Sequence, residues 1–390
     1  MDVVQERLLS VQRFFCLSCS KSFTAQAGVR HRSYSDAFMR DVARRHIEGE
    51  SYRVIARDVY RVTGRKISPT SLQQMVASVA LRAMSALEMS RKFSPRWSGY
   101  LVVDEKHIPV RRNGLWCYVA VDTTGDVVHW RPVWECSVSE AVKFLEEVLA
   151  LGYPCRGITS DLDTSLTLAI EHVYAEKPHQ YCIKHALGVV EKILGYHTTQ
   201  KQQHRRVGQL RTNFERLPLR KGLYLVKASK DFLEVWQKTR TSSRRARAVF
   251  ELRERCRLIL CARSQSEALD LLASLRRHHS SEATRKWKAI GFLERHWVRL
   301  MRHHRVHGLP RTNNMAETFN RQVKRRIKTM ESFQHREGAI SYLNLLVAYL
   351  RLKPYTDCRG QRKHLNGKSR LQAAGVTIPS QDWIKATLKN

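Results

Sequence analysis

Three short runs of apolar residues stand in the middle of the chain, and turn residues separate them. The runs cover residues 100–107, 115–122 and 127–134 and are rich in Val, Tyr and Trp. An Asn-Gly pair lies between the first two runs, and a Gly-Asp pair precedes the third. Because such pairs favour tight turns between antiparallel strands, the pattern predicts a three-strand meander.

Helical and strand-like patterns alternate after the meander. Residues 137–151 have apolar positions every three or four residues behind a Ser137 cap, with Glu140 completing a capping box, which predicts an amphipathic helix. A strand at 156–161, a helix at 164–174 and a strand that runs into a helix at 179–185 follow. The order β-β-β-α-β-α-β-α predicts an α/β fold with a mixed sheet and helices on its faces.

Three short helices are predicted upstream of the meander. They cover residues 34–47, residues 51–62 and a segment capped by Ser68 with Pro69 at its first position. Together they are typical of a helix-turn-helix, whose third helix presents its N-terminal residues to the major groove of DNA. An ordinary helical bundle is the alternative. The predicted DNA contacts are Thr70, Ser71, Gln73 and Gln74.

The N-terminal segment contains a Cys-x-x-Cys pair flanked by aromatic residues, Cys16 and Cys19. Such a pair is half of a zinc ribbon, whereas tetrahedral zinc requires four ligands. Of the usual further ligands, only His31 stands close downstream, so zinc binding stays open. The other cysteines are mostly scattered and the total of nine is odd, which indicates free thiols in a reducing compartment.

These patterns divide the 390 residues into six segments. We predict a partial zinc-ribbon-like segment at 1–32, a helix-turn-helix domain at 33–91, the first part of the sheet core at 98–187, a basic helical insertion at 188–306, the last part of the core at 307–352 and a basic C-terminal tail at 353–390. In the insertion, Trp297 is assigned either to core packing or to stacking on a displaced base.

The net charge of the chain indicates what kind of partner it binds. The chain has 69 Lys and Arg against 35 Asp and Glu, a formal net charge of +34. Such an excess destabilises a compact chain by self-repulsion unless a polyanion is present, which indicates a nucleic-acid partner. Neither a run of 18 apolar residues nor the pattern of a signal peptide is found, so no membrane association is expected.

Three acids stand at positions suited to a metal site. Asp104 ends the first strand, Asp161 ends the fourth, and Glu317 opens a helix with one apolar face. Each has an ordinary alternative, because strand-end acids are often solvated and Asn314-x-x-Glu317 forms a capping box. Three carboxylates on separate elements are what two divalent ions need for in-line attack on a phosphodiester. Oxygen ligands favour Mg²⁺, with Mn²⁺ as a substitute.

Neighbouring residues complicate and extend this site. Glu105, Asp122 and Asp163 stand close to the predicted positions, and Asp163 could exchange roles with Asp161. Around Glu317, a stripe of amides and cations is suited to DNA phosphates. It consists of Asn313, Asn314, Asn320, Arg321 and Lys324.

The motifs, taken in order, resemble a known family. They are Asp104 after the first strand, Ser-Asp161 after the fourth, Cys182-Ile-Lys-His185 after the fifth, and Thr312-Asn-Asn-x-x-Glu317-x-x-Asn320 on a late helix. This set, over residues 100–352, is similar to DDE transposases of the Mutator-like and related bacterial insertion-sequence type.

The resemblance implies an RNase H-like core that is interrupted by the helical insertion. It implies Asp104, Asp161 and Glu317 as catalytic metal ligands for two Mg²⁺ or Mn²⁺ ions, and it matches Cys182 and His185 to the family's Cys/Asp-x-x-His signature. By residue type this pair could bind a metal, but no complementary pair is evident, which favours an accessory pair packed near the site. The expected function is a transposase that binds the terminal inverted repeats of a mobile element and carries out DNA cleavage and strand transfer. We expect double-stranded DNA and a homodimer or higher oligomer as partners, in a bacterial cytoplasm or a eukaryotic nucleus.

Two other functions stay open. One is a catalytically silent or domesticated DNA-binding protein with the same fold. The other is an RNase H-like nuclease that recognises branched or hybrid duplexes, which the predicted helix-turn-helix disfavours because such a module implies sequence-addressed DNA.

Overall fold

The computed structural model describes residues 34–111, 114–199, 244–330, 333–378 and 383–389, and the backbone of two short strands near the N-terminus. These strands, β1 (Arg13–Phe15) and β2 (Ser22–Thr24), pair antiparallel. Cys16 and Cys19 lie outside the described residues, so zinc binding at this pair stays a prediction. The chain forms two compact units, Met1–Arg82 and Ala83–Asn390.

The described part of the first unit contains three helices, α1 (Asp36–Glu48), α2 (Tyr52–Thr63) and α3 (Pro69–Ala80). Each begins after a serine whose hydroxyl accepts a backbone N–H of the first turn, as the sequence predicts. All three start within two residues of their predicted positions. Their apolar faces share a core around Ile47, Ile55 and Leu72. The helix-turn-helix assignment itself stays a prediction.

The second unit is built on a five-stranded mixed sheet. Its strands are β3 (Tyr100–Ile108), β4 (Leu115–Asp122), β5 (Val127–Val133), β6 (Gly157–Ser160) and β7 (His179–Tyr181). The spatial order is β5-β4-β3-β6-β7, with an antiparallel meander from β3 to β5 and with β6 and β7 parallel to β3. The predicted α/β fold with a mixed sheet is therefore confirmed, while its RNase H-like identity stays a prediction.

Helices of the second unit precede, separate and follow these strands along the chain. In chain order they are α4 (Ala86–Phe93), α5 (Val138–Ala150), α6 (Thr164–Val173), α7 (Ile183–Leu194), α8 (Arg244–Leu260), α9 (Gln265–Arg277), α10 (Ala283–Arg295), α11 (Trp297–Leu300), α12 (Asn314–Lys328), α13 (Arg336–Leu352), α14 (Arg370–Ala373) and α15 (Trp383–Thr387). The described residues also form two 3₁₀ helices, η1 (Arg302–His304) and η2 (Gly360–Leu365). Within the described ranges, no helix has both the length and the apolar character needed to cross a membrane.

Helices cover both faces of the sheet. On one face α5 and α6 pack, and the rings of Tyr118 and Phe144 stack 5.5 Å apart. On the other face Phe319 of α12 meets Trp130 edge to face at 5.7 Å. Because both faces are buried, the strands appear in the sequence as continuous apolar runs instead of alternating ones.

The inserted helices form a core of their own. Helices α7 to α11 bury a shared cluster that includes Val190, Leu252, Cys256 and Leu293. Trp297 is half-buried against this cluster, in agreement with the packing alternative. The predicted helical character of the insertion is thus confirmed for residues 244–300.

The C-terminal segment is folded where it is described, which corrects the predicted basic tail. Arg370 is only 5% exposed and donates hydrogen bonds to the Gly125 carbonyl oxygen at 2.7 Å and to Gln322 at 2.9 Å. Leu371 joins a cluster with Met89 of α4. The same cluster explains why the first unit ends at Arg82 and not at the predicted residue 91: α4 shares its core with the second unit.

A buried ion pair joins α13 to the meander. Arg351 and Asp126 both have fully buried side chains, and the guanidinium donates to the two carboxylate oxygens at 2.9 and 2.8 Å. Arg351 also donates to the carbonyl oxygen of Ala86 at 2.8 Å, and Trp97 donates to Asp126 at 3.1 Å. The pair thereby holds α4, α13 and the β4–β5 turn together.

Candidate metal centre

Two of the predicted acids lie side by side at the carboxyl ends of neighbouring strands. In the parallel pair β3 and β6, Val102 is opposite Thr159. Two residues further along each chain come Asp104 and Asp161, whose side chains therefore share one face and one edge of the sheet. Sequence periodicity indicates the end of each strand, but only the pairing of β3 with β6 brings the two carboxylates together.

Glu105 is the third member of this cluster. Oxygen atoms of Asp104, Glu105 and Asp161 lie within 4.8 Å of one another. Glu105 pairs with Tyr118 of β4 and directly follows Asp104 in β3. Because successive side chains of a strand alternate, Glu105 and Asp104 project from opposite faces of the sheet. The described pairing of β6 with β3 ends at Val102 and Thr159. Asp161 lies beyond this paired region, so its carboxylate can approach both side chains. The sequence predicts Glu105 only as a neighbour of the expected ligand Asp104. Its position next to Asp104 is the one sequence feature that indicates a place in the cluster.

Two buried amides orient the Asp104 carboxylate. Asn320 donates to Oδ2 at 2.8 Å and Asn313 donates to Oδ1 at 3.3 Å. These asparagines are 4% and 0% exposed. Both were predicted to contact DNA, and this prediction is corrected: the face of α12 that carries Asn320 packs on β3, so the amides bind Asp104 instead.

Burial and mutual repulsion disfavour charge on the clustered acids. Burial raises the pKa of Asp104 to about 7, helped by the charge of Asp161 and opposed by the hydrogen bond from Asn320. Burial also raises the pKa of Glu105 to about 8, again with help from Asp161. The pKa of Asp161 is raised by burial as well. Oε2 of Glu105 is buried and has no hydrogen-bond partner among the described residues.

A divalent cation fits this environment. It would supply the positive charge that the three carboxylates lack, and an all-oxygen donor set suits Mg²⁺ or Mn²⁺. Binding below about pH 7 to 8 must release protons, since the ligands have to be ionised.

Glu317 lies beside the cluster but is not part of it. Its carboxylate accepts a hydrogen bond from Lys184 Nζ at 2.5 Å and lies 3.7 Å from Nε2 of His185. It is close enough for its charge to raise the pKa of Asp104. The capping-box alternative does not apply, because α12 begins at Asn314 and its cap residue, Asn313, makes no side-chain capping bond.

Two hydrogen bonds hold the segment before α12 against the sheet. Thr159 Oγ1 donates to the carbonyl oxygen of Pro310 at 2.6 Å. The N–H of Ile183 donates to the carbonyl oxygen of Arg311 at 3.0 Å. Since these residues come just before α12, the bonds set where Asn313 and Glu317 stand relative to the strand ends.

The remaining nearby acids have structural roles. Asp163 is the N-cap of α6 and accepts the N–H of Leu166 at 2.9 Å, while its own N–H donates to Asp161 at 3.0 Å. Asp122 is fully buried and accepts hydrogen bonds from Ser98 and Tyr153. The choice between Asp161 and Asp163, which the sequence left open, therefore favours Asp161.

The accessory pair Cys182 and His185 lies at the start of α7. Cys182 is fully buried, and burial raises the pKa of its thiol while the backbone N–H of Asn313 opposes this shift. His185 is partly exposed next to Glu317, and its charge lowers the pKa of Asp161. Within the described part of the chain, these two residues belong to no cluster of Cys and His that could bind a metal.

The other predicted DNA contacts stay predictions. Thr70, Gln73 and Gln74 are exposed on α3, whereas Ser71 is half-buried and donates its N–H to the cap residue Ser68. The exposed members of the α12 stripe are Asn314, Arg321 and Lys324.

Neither models of known protein families nor curated proteins match the sequence. Function is therefore inferred from the carboxylate cluster, from its surroundings and from the charge of the chain.

Replacing Glu105 by Gln is expected to weaken both the pH dependence of stability and the response to metal. Because folding raises the pKa of this acid, folded stability without a cation falls as the pH rises from about 4.5 to about 8. Gln resembles the protonated acid and removes that part of the loss. Unfolding midpoints at about pH 5 and pH 8 in a chelator measure the first effect, and midpoints with added Mn²⁺ measure the second.

Glu135→Gln is the matched control, since Glu135 is exposed and lies outside the cluster. It should keep the wild-type pH dependence and the wild-type Mn²⁺ response. A Glu105→Gln variant with an unchanged Mn²⁺ response would exclude Glu105 as a ligand.

Proposed function

We propose that this protein is a DNA transposase of the DDE type, in which Asp104, Asp161 and Glu317 serve the metal-dependent cleavage and transfer of DNA strands. The observation that carries the proposal is the buried carboxylate cluster at the ends of β3 and β6. A cluster in which burial raises the pKa of each acid is costly for a fold without a bound cation, and such costs are typical of functional sites.

The origin of the acids along the chain supports the same proposal. One comes from the first strand of the sheet, one from the end of the fourth strand, and one from a helix beyond the inserted helices. This is the order that the resemblance to DDE transposases implies. The antiparallel meander followed by two parallel strands supports an RNase H-like core.

Asp104 and Glu317 have different parts in this proposal. Asp104 is held by its two amide donors so that its oxygens keep one orientation towards Asp161. Glu317 is balanced by Lys184, whose side chain is 55% exposed, so this ion pair can give way to a cation at little cost. Bound divalent cations would activate the attacking water or 3′-hydroxyl and stabilise the leaving oxygen.

DNA is the substrate that the charge favours. The net charge of +34 calls for a polyanion, and exposed Arg321 and Lys324 follow Glu317 along α12. Phosphates bound there would pass close to the carboxylates. Joining two element ends also favours a dimer or a higher oligomer.

A cleavage assay tests the proposal directly. The full chain is incubated with labelled duplexes from the two borders of its genetic element and with Mg²⁺ or Mn²⁺. We expect nicked, cleaved or joined products that a chelator suppresses. Binding to the duplexes without any metal-dependent product would instead favour the silent DNA-binding protein, and a preference for hybrid or branched duplexes would favour the nuclease.

Replacing Gln73 and Gln74 by Ala is expected to reduce the preference for element ends over unrelated DNA. Each side chain that no longer binds a base edge removes about 1–3 kcal/mol of discrimination, roughly thirtyfold or more for the pair. Affinities for both duplexes, measured in a chelator, report the ratio. As a contrast, Lys66→Ala should weaken binding to both duplexes by the same factor. An unchanged ratio in the glutamine variant would remove α3 from sequence recognition.

A further inference from the structure

A basic cavity lies on the side of the sheet covered by α6, where the inserted helices meet the edge strand β7. Its volume is about 530 Å³. The end of α6 and the turn that follows it form one wall, and the segment from the end of α10 to η1 forms the other. None of the metal-centre carboxylates lines it.

Cations dominate the lining of this cavity. Among the described residues, Lys177, Arg295, Arg299 and Arg302 line it, against a single acid, Glu171. Glu171 is already paired with Arg299, which also donates to the hydroxyl of Tyr181 at 2.6 Å. The other three cations form no ion pair with any described residue. The cavity therefore holds an excess of positive charge that no acid of the described chain balances.

The cations also disfavour one another. Burial lowers the pKa of Arg299, and the charge of Arg302 adds to this shift. Nε of Arg302 is buried without a hydrogen-bond partner among the described residues. A bound anion would relieve both the repulsion and the unpaired donor.

Two buried polar side chains of the lining also have unsatisfied atoms. The hydroxyl of Tyr174 and Nδ1 of His179 have no hydrogen-bond partner in the described chain, and these side chains belong to residues only 4% and 7% exposed. Unpaired polar atoms under a cavity are costly unless a ligand or water satisfies them.

The hydrogen bonds of His179 determine which kind of atom it offers. Ser160 Oγ must donate to the carbonyl oxygen of Asp161, 2.7 Å away, so it can only accept from Nε2 of His179 at 2.8 Å. Burial and the charge of Arg302 lower the pKa of His179 to about 4, so the ring is neutral. Its free Nδ1 is then an acceptor. The same bonds connect the cavity to the strand end that carries Asp161.

We propose that this cavity is a second DNA-binding site, which takes a phosphate group of a DNA strand between α6 and the inserted helices. Lys177, Arg295 and Arg302 bind the phosphate oxygens. The neutral acceptor of His179 and the hydroxyl of Tyr174 suit the N–H groups of the attached base. This inference rests on the proposed function only in taking DNA as the ligand.

The salt dependence of DNA binding tests this site. A duplex of unrelated sequence is titrated with the full chain in a chelator at several salt concentrations, so that no cleavage is required. For Lys177→Gln/Arg295→Gln, the slope of log affinity against log salt is expected to become shallower by about 1.8, since each phosphate contact contributes about 0.9. Unfolding midpoints of both proteins are measured alongside, and both mutated side chains are exposed.

Arg305→Gln is the matched control. Arg305 follows η1, is exposed, and binds Gln265 outside the cavity. The proposal requires this variant to lose less of the slope per removed charge than the double variant does. Equal loss per removed charge in the two proteins would mean a diffuse basic surface and would overturn the site.

Inorganic phosphate distinguishes the source of the anion. A free phosphate would be the ligand if phosphate alone raises the unfolding midpoint of the wild type and Lys177→Gln/Arg295→Gln abolishes that rise. If the double variant also keeps the wild-type salt slope of DNA binding, the DNA proposal is wrong. A reduced slope with no cleavage by the wild type at any duplex would retain this site while the transposase proposal fails.

Discussion

Replacing Asp161 by Asn should abolish the proposed metal-dependent DNA cleavage, whereas replacing Asp163 by Asn should leave it nearly unchanged. Asp161 contributes an oxygen to the carboxylate cluster, and loss of its charge removes several kcal/mol of metal-dependent stabilisation, about a thousandfold or more in rate. Asp163 caps α6, and Asn caps a helix about as well as Asp. Rates with Mg²⁺ on labelled duplexes, beside affinities in a chelator, measure the difference.

Asp104→Asn belongs to the same experiment and should match Asp161→Asn. The new amide cannot accept from Asn320 and Asn313 on both of its atoms as the carboxylate does, so orientation is lost together with charge. DNA affinity in the chelator should stay close to the wild-type value for all three variants. The reverse result, with Asp163→Asn inactive and Asp161→Asn active, would exchange their roles.

Replacing Arg351 by Met is expected to destabilise the second unit by about 3–5 kcal/mol. The substitution leaves Asp126 charged and buried without its guanidinium partner, which is the costly half of a broken buried ion pair. It also removes the donor to the carbonyl oxygen of Ala86. Midpoints and slopes of urea unfolding measure the loss.

Two further variants separate this effect from a loss of side-chain volume. Arg276→Met breaks a largely exposed ion pair with Glu294 and should cost less than about 1 kcal/mol. Arg351→Met/Asp126→Asn should recover part of the loss, because the Asp126 charge is then no longer buried without its partner. Similar small losses for Arg351→Met and Arg276→Met would show that the buried pair does not stabilise the fold.

Local signals predicted most of the secondary structure. Serine caps and apolar spacing located α1, α2 and α3 within two residues, and turn pairs located the meander strands. The same signals misled where a side chain has a competing charged partner. Glu140 was expected to complete a capping box, yet its carboxylate binds Arg131 and Lys143 instead.

The sequence-based predictions that the structure corrects mainly concern buried polar groups. Asn313 and Asn320 look like exposed amides on a polar stripe, but α12 turns them towards Asp104. Arg370 stands in a basic stretch, but its guanidinium is buried against the carbonyl oxygen of Gly125. A polar residue inside a fold carries no periodic signal that separates it from a solvated one, since its burial depends on a distant partner.

The sequence by itself determined the elements, the mixed sheet and one of the clustered acids, Asp104, and it narrowed the second to Asp161 or Asp163. Each depends on neighbouring residues, through caps, turns and the spacing of apolar side chains. Only the tertiary structure decided that Asp161 and not Asp163 faces Asp104, that Glu105 joins them, and that Glu317 stands beside Lys184. These facts depend on β6 pairing beside β3 and on where that pairing ends, because carboxylates far apart in the chain meet only through strand order and register.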